Sequence, residues 1–193
     1  MKKYEVYKEI LQKMLNDKRY YHSLCVADEA LRLAEKYGGD CEKCYLAGLL
    51  HDITKNTSNE EHLKIFKTFG IMLSDIELSA PKLWHAISGS AYIENVLQIK
   101  DSEITDAVRY HTTAKPNMSL TAKILYLADF TSKDRDYEDV DVIRQKVDIS
   151  LYDAFVYALQ YSINDLVEQT KAIHPDTVKA YNEIVLEVNN GKL

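Results

Sequence analysis

Apolar residues recur along this chain at helical rather than alternating spacing, and only three prolines and six glycines interrupt them. That pattern predicts an all-α fold. Tyr7, Ile10, Leu11, Met14 and Leu15 make one stripe, and Val26, Ala27, Ala30, Leu31 and Ala34 make a second that stops at Gly38-Gly39. These read as two short, core-facing helices. Asp40 is placed to cap a third helix running through Leu46, Leu49 and Leu50 to His51. Ser58 with Glu61, and Ser74 with Glu77, have the spacing of capping boxes for the next two. Further helices are expected over 102–111, 119–129, 150–172 and 176–190, whereas 132–141 is charged and breaks the period.

No internal repeat, low-complexity tract or linker-like run divides the sequence, so residues 1–193 are expected to form a single domain. A chain of this length buries roughly 70% of its unfolded surface, enough for a self-sufficient core. Hydrophobic residues at 46% and charged residues at 28% are the balance of an ordered globular protein. The N-terminal run Met1-Lys2-Lys3-Tyr4-Glu5-Val6 turns charged before any signal-peptide core, and no apolar stretch reaches membrane-spanning length. Three cysteines, an odd number, make a disulfide framework improbable. The expected setting is therefore the reducing cytoplasm, without a membrane partner.

A formal net charge of −6 removes the positive field that would attract a polymeric nucleic acid. Small phosphorylated ligands stay open, because a bound metal or a few cations can reverse the potential inside one cleft.

The chemistry concentrates at helix ends. In Leu46-Ala47-Gly48-Leu49-Leu50-His51-Asp52, a hydrophobic helix finishes in two good metal-ligand types. Alone, such a pair is uninformative, since a histidine on an apolar face is usually a hydrogen-bonded core residue. Asp129 changes the weighing: it shares a helical face with Ala122 and Leu125, and Ile124, Leu127 and Ala128 surround it. A carboxylate buried there must find a cation or neutralise itself. His111 follows Ile104, Ala107 and Val108 at inward-pointing spacing, and His85 lies beside Leu83-Trp84.

This order of residues, an early His22, then His51-Asp52, two separated histidines and a late Asp129, resembles the HD-domain phosphohydrolase superfamily. More narrowly, His51-Asp52-Ile53-Thr54-Lys55, His111-Thr112-Thr113 and Leu127-Ala128-Asp129-Phe130 with Arg135 resemble its YqeK-type branch, the symmetrical diadenosine tetraphosphate hydrolases. The likeness runs from Tyr21-His22-Ser23 to His174-Pro175-Asp176-Thr177 and Ala180-Tyr181-Asn182. It implies an HD-domain helical bundle that cleaves a nucleotide substrate and releases ADP. It also implies a metal, typically iron with manganese, cobalt or zinc as alternatives, on His22, His51, Asp52 and Asp129. His85 and His111 would face the phosphates, one of them as proton donor, or share a second metal with Asp52. Lys55 and Arg135 would supply cations for the polyphosphate, with Thr112 adding a hydroxyl. The segment Ala172, Ile173, His174, Pro175, Asp176 and Thr177 would contact the nucleoside. A homodimer is compatible with this reading.

Two departures from the family pattern are Ala114-Lys115-Pro116, where a glycine is common, and Thr131-Ser132-Lys133 before Arg135. Rival readings are another HD-type nucleotide phosphohydrolase, or a metal-binding regulatory module without turnover. Cys41-Glu42-Lys43-Cys44 is set aside as a redox or zinc motif, because no βαβ pattern and no second cysteine pair accompany it. Most of the 14 tyrosines are expected at core-boundary positions, and His62, in a charged helix, is expected on the solvated surface.

Overall fold

The computed structural model describes residues 2–190; Met1 and residues 191–193, also part of the expected domain, lie outside the described residues. Eleven α-helices follow in order: α1 (Lys2–Met14), α2 (Asp17–Tyr37), α3 (Cys41–Leu50), α4 (Asn59–Phe69), α5 (Asp75–Ser79), α6 (Trp84–Asn95), α7 (Ser102–Tyr110), α8 (Leu120–Thr131), α9 (Val140–Ile149), α10 (Leu151–Glu168) and α11 (Pro175–Asn189). A 3-10 turn, Pro81–Leu83, leads into α6. The fold is all-α, with no strand among the described residues.

The helix starts obey the capping chemistry written in the sequence. Asp40 accepts from the Lys43 amide, and Ser58 and Ser74 each form a complete capping box with Glu61 and Glu77. Ser119 and Ser150 accept from Ala122 and Asp153 at the starts of α8 and α10. Each such cap contributes about 1 kcal/mol.

Several expectations need correction. The second stripe belongs to a helix of 21 residues, not a short one: Asn16 caps it and its first turn is polar, so the apolar stripe marks only the later part. The helix expected over 150–172 stops at Glu168, where Thr170 enters the left-handed region at φ 53 with no glycine to announce it. α6 and α9 were not expected at all. Ser88, Gly89 and Ser90 dilute the apolar pattern of α6, and in α9 only Val140, Ile143 and Val147 are buried among charges.

α8 is the central strut. Ala122, Ile124, Leu125, Tyr126, Leu127 and Ala128 are all buried, and α2, α3, α7, α9 and α10 pack around it. Full burial of each such leucine or isoleucine contributes roughly 1.5–3 kcal/mol. α2 lies against α3 closely enough that a Cβ at Gly48 would stand 2.8 Å from the Ala27 Cα. Only glycine allows that approach, and it brings His22 on α2 next to His51 at the end of α3. A separate cluster of Phe66, Trp84 and Ile87 seals α4 against α6. Among the described residues, no helix is long and apolar enough to cross a membrane.

Candidate metal centre

Four of the expected histidines converge. His22 projects from α2, His51 and His111 occupy the residues just after α3 and α7, and His85 sits in the first turn of α6. Each fixes its ring by the outer nitrogen. His51 Nδ1 donates to the Gly48 carbonyl at 2.8 Å, His111 Nδ1 to Val108 at 2.7 Å and His85 Nδ1 to Lys82 at 2.8 Å. His22 Nδ1 pairs with Asp134 Oδ2 at 2.7 Å. Three rings thus use the carbonyl three residues earlier, which a helix end leaves open. All four Nε2 atoms are left facing one another.

Asp52 divides this group into two sides. Its Oδ2 lies 3.4 Å from His51 Nε2, 4.0 Å from His22 Nε2 and 2.6 Å from an Arg19 guanidinium nitrogen. Its Oδ1 lies 3.2 Å from His85 Nε2, 3.8 Å from His111 Nε2 and 3.7 Å from Lys55 Nζ. Asp129, from the end of α8, places Oδ1 at 3.0 Å from His22 Nε2 and 3.9 Å from His51 Nε2. Arg135 binds both the Asp129 carboxylate and, at 2.7 Å, its main-chain carbonyl.

The set fits a metal ion. His51 Nε2 and Asp52 Oδ1 are buried without a hydrogen-bond partner, an expensive state that a cation between them would relieve. With their protons held on Nδ1, His85 and His111 aim nitrogen lone pairs at each other over 3.2 Å. Two overlapping triads have suitable spacing for an ion: His22, His51 and Asp129, and His51, Asp52 and His111. Mixed imidazole and carboxylate donors suit iron, manganese, cobalt or zinc better than magnesium or calcium, which prefer oxygen alone. Outer-nitrogen bonds of this kind are how proteins orient metal-binding imidazoles.

The electrostatics agree. Burial opposes ionisation of Asp52, but His51 and His111 overcome it and hold the carboxyl well below its ordinary range. For Asp129 the same opposition from burial is overcome by Arg135 and His22. Burial, with His111 and Lys55 nearby, pushes His85 down to about 4, and burial also lowers Lys55.

The remaining expected residues lie close by. Lys55 Nζ is 3.1 Å from His85 Nε2. The Thr112 hydroxyl is buried and unpartnered. Thr177 Oγ1 donates to the Thr113 carbonyl at 2.6 Å, docking the segment 172–177 two residues from His111. Within that segment His174 Nε2 is 3.9 Å from Glu77, a buried carboxylate that also pairs with Arg109, while Ala172 and Pro175 are exposed and Ile173 and Asp176 half-buried. Arg19 and Asp134 were missed by the sequence reading. Arg19 lies one helical turn before His22, and Asp134 adjoins Arg135, so both were adjacent to residues already singled out.

One expectation fails. His62 is 4% exposed rather than solvated; its Nδ1 bonds Ser88 Oγ at 2.8 Å and its ring lies against Phe66 and Trp84. The charges of α4 occupy its other faces. Cys44 is buried, which pushes its thiol up to about 11, opposite to what redox chemistry needs.

This geometry and the comparisons with known proteins agree on the class. The HD domain model matches residues 19–134, and the chain belongs to the HD domain family. Among its relatives is the symmetrical bis(5'-nucleosyl)-tetraphosphatase of Halalkalibacterium halodurans, 32% identical over 93% of this chain and 95% of that protein. The Bacillus subtilis protein of the same name is 30% identical over 91% and 94%. The crystal structure of a Clostridium acetobutylicum protein, described as a predicted HD superfamily hydrolase involved in NAD metabolism, superposes with a TM-score of 0.92. It is 34% identical, with 95% of this chain and 97% of that one covered.

Proposed function

We propose that this chain is a metal-dependent symmetrical bis(5'-nucleosyl)-tetraphosphatase that splits diadenosine tetraphosphate into two ADP. The observation that carries the proposal is the Asp52 cluster: imidazoles on both sides of one buried carboxylate, flanked by the cations Lys55 and Arg135. Near full-length likeness to proteins of that name supports the substrate.

His22, His51, Asp52 and Asp129 are assigned to the first metal, iron by resemblance, with Asp52, His85 and His111 available to a second. A cation bound there supplies Lewis-acid activation of a phosphoryl oxygen and of water. The chain's own groups then do the positioning. Arg135, held by Asp129 through Nε and Nη2, keeps Nη1 for a phosphate oxygen, and Lys55 adds a mobile charge. The Thr112 hydroxyl, buried and unpartnered beside His111, is assigned to a phosphate oxygen. His85 or His111 is assigned as proton donor to the leaving phosphate oxygen, with the Lys55 ammonium 3.1 Å from His85 Nε2. Residues 172–177, docked on Thr113, are assigned to one nucleoside.

The test is chromatography of products from diadenosine tetraphosphate with protein loaded with iron, manganese or cobalt. Two ADP per substrate is the expected outcome. AMP plus ATP, or no cleavage with any of these metals, would overturn the proposal.

A further inference from the structure

A substrate with two identical nucleoside ends needs two places to put them, and residues 172–177 account for one. Beside the metal cluster lies a recess of about 500 Å³, within the usual ligand-pocket range of roughly 300–1,000 Å³. Lys55 and His85 belong to both: they face Asp52 on one side and line the recess on the other. Lys82, Thr57, Asn59 and His62 extend the lining beyond Lys55 and His85, and no carboxylate and no residue of 172–177 takes part in it.

The charge of this recess is unlike that of the molecule. In a chain of net charge −6, its lining offers two lysines and no carboxylate. Its floor is rigid. His62 Nδ1 bonds Ser88 Oγ, Ser88 Oγ meets Thr54 Oγ1 at 2.8 Å, and Thr54 Oγ1 donates to the His85 carbonyl at 2.8 Å. Phe66 and Trp84 back the His62 ring. Lys82 serves twice, its carbonyl orienting His85 and its exposed side chain reaching the recess.

We infer that this recess receives the departing half of the substrate, a nucleoside diphosphate. Lys55 and Lys82 take its phosphates, and Thr57 and Asn59 give hydrogen bonds to its nucleoside. The inference rests on the proposed reaction. It places the two halves on different walls of the cluster, one on the α7–α8 connection with residues 172–177, the other between the α3–α4 connection and the start of α6.

The test uses full-length, metal-loaded protein and diadenosine tetraphosphate, comparing wild type with Lys82→Glu, Lys82→Ala and Asn59→Ala. Loss of one charge-assisted phosphate contact corresponds to about tenfold or more. Lys82→Glu is expected to raise KM at least ~10-fold, Lys82→Ala in the same direction by less, and Asn59→Ala by less again. Metal content and helicity should stay at wild-type values. Cleavage by wild type with KM unchanged in both Lys82 variants would overturn the recess assignment alone. Absence of symmetrical cleavage by wild type would remove the proposed reaction and the inference with it.

Discussion

Two buried histidines in this molecule have opposite circumstances. His51 is fully buried in the candidate metal site, with one ring nitrogen on Gly48 and the other facing carboxylates without a hydrogen bond. His62 is 4% exposed in the satellite cluster, bonded to Ser88 and packed among aromatic rings. Burial alone therefore marks neither as functional. What separates them is whether the second nitrogen is left aimed at other ligand atoms. The His51 region carries unrelieved polar groups that a cation would satisfy, whereas the His62 region is satisfied by the protein.

The contrast can be broken first at the cluster. His51→Ala should lower metal affinity and turnover by more than the 10–100-fold typical of an outer-shell residue; metal titration with elemental analysis, alongside rate measurement, checks this. His62→Ala should do the reverse, costing about 3 kcal/mol in denaturant unfolding through lost packing and a lost bond to Ser88, with metal content unchanged. A His62→Ala protein that lost its metal would erase the distinction. Next in size, Asp134→Ala removes the carboxylate that orients His22. It should weaken metal binding by about 10–100-fold, read by competitive chelation.

The smallest effects concern the backbone. Thr170 is exposed at φ 53, a conformation costing a β-branched residue roughly 1–2 kcal/mol, so Thr170→Gly should stabilise by about 1 kcal/mol. Thermal melting should rise by about 2–4 °C. Ala114 sits at φ 57, and its methyl is fully buried. Relief of strain by Ala114→Gly is offset by loss of a buried methyl worth about 0.8 kcal/mol, so its melting temperature should barely move.

These particulars also explain what the sequence made legible. His51, Asp52, His85, His111 and Asp129 stood out because each lies in apolar helical sequence or just past a helix end, whereas His22 and the convergence of all six rested on the family resemblance. Capped helices were equally readable, since Asp40, Ser58, Ser74, Ser119 and Ser150 sit where backbone amides need acceptors. His62 was misplaced because Glu60, Glu61, Lys64 and Lys67 dominate α4, while only His62 and Phe66, one turn apart, turn inward. α9 escaped for the same reason, its three buried residues scattered among charges. Arg19 and Asp134 act through partners distant in sequence, Asp52 and His22, which no local periodicity reveals.

The account stands on a cation held among His22, His51, Asp52 and Asp129, and elemental analysis of purified wild type and Asp129→Ala addresses it most directly. After equilibration with iron, manganese or cobalt and removal of loose ions, wild type should retain at least one equivalent per chain. The variant, equally helical by circular dichroism, should retain far less. A wild type that keeps no metal, or a variant that keeps as much, would contradict the account.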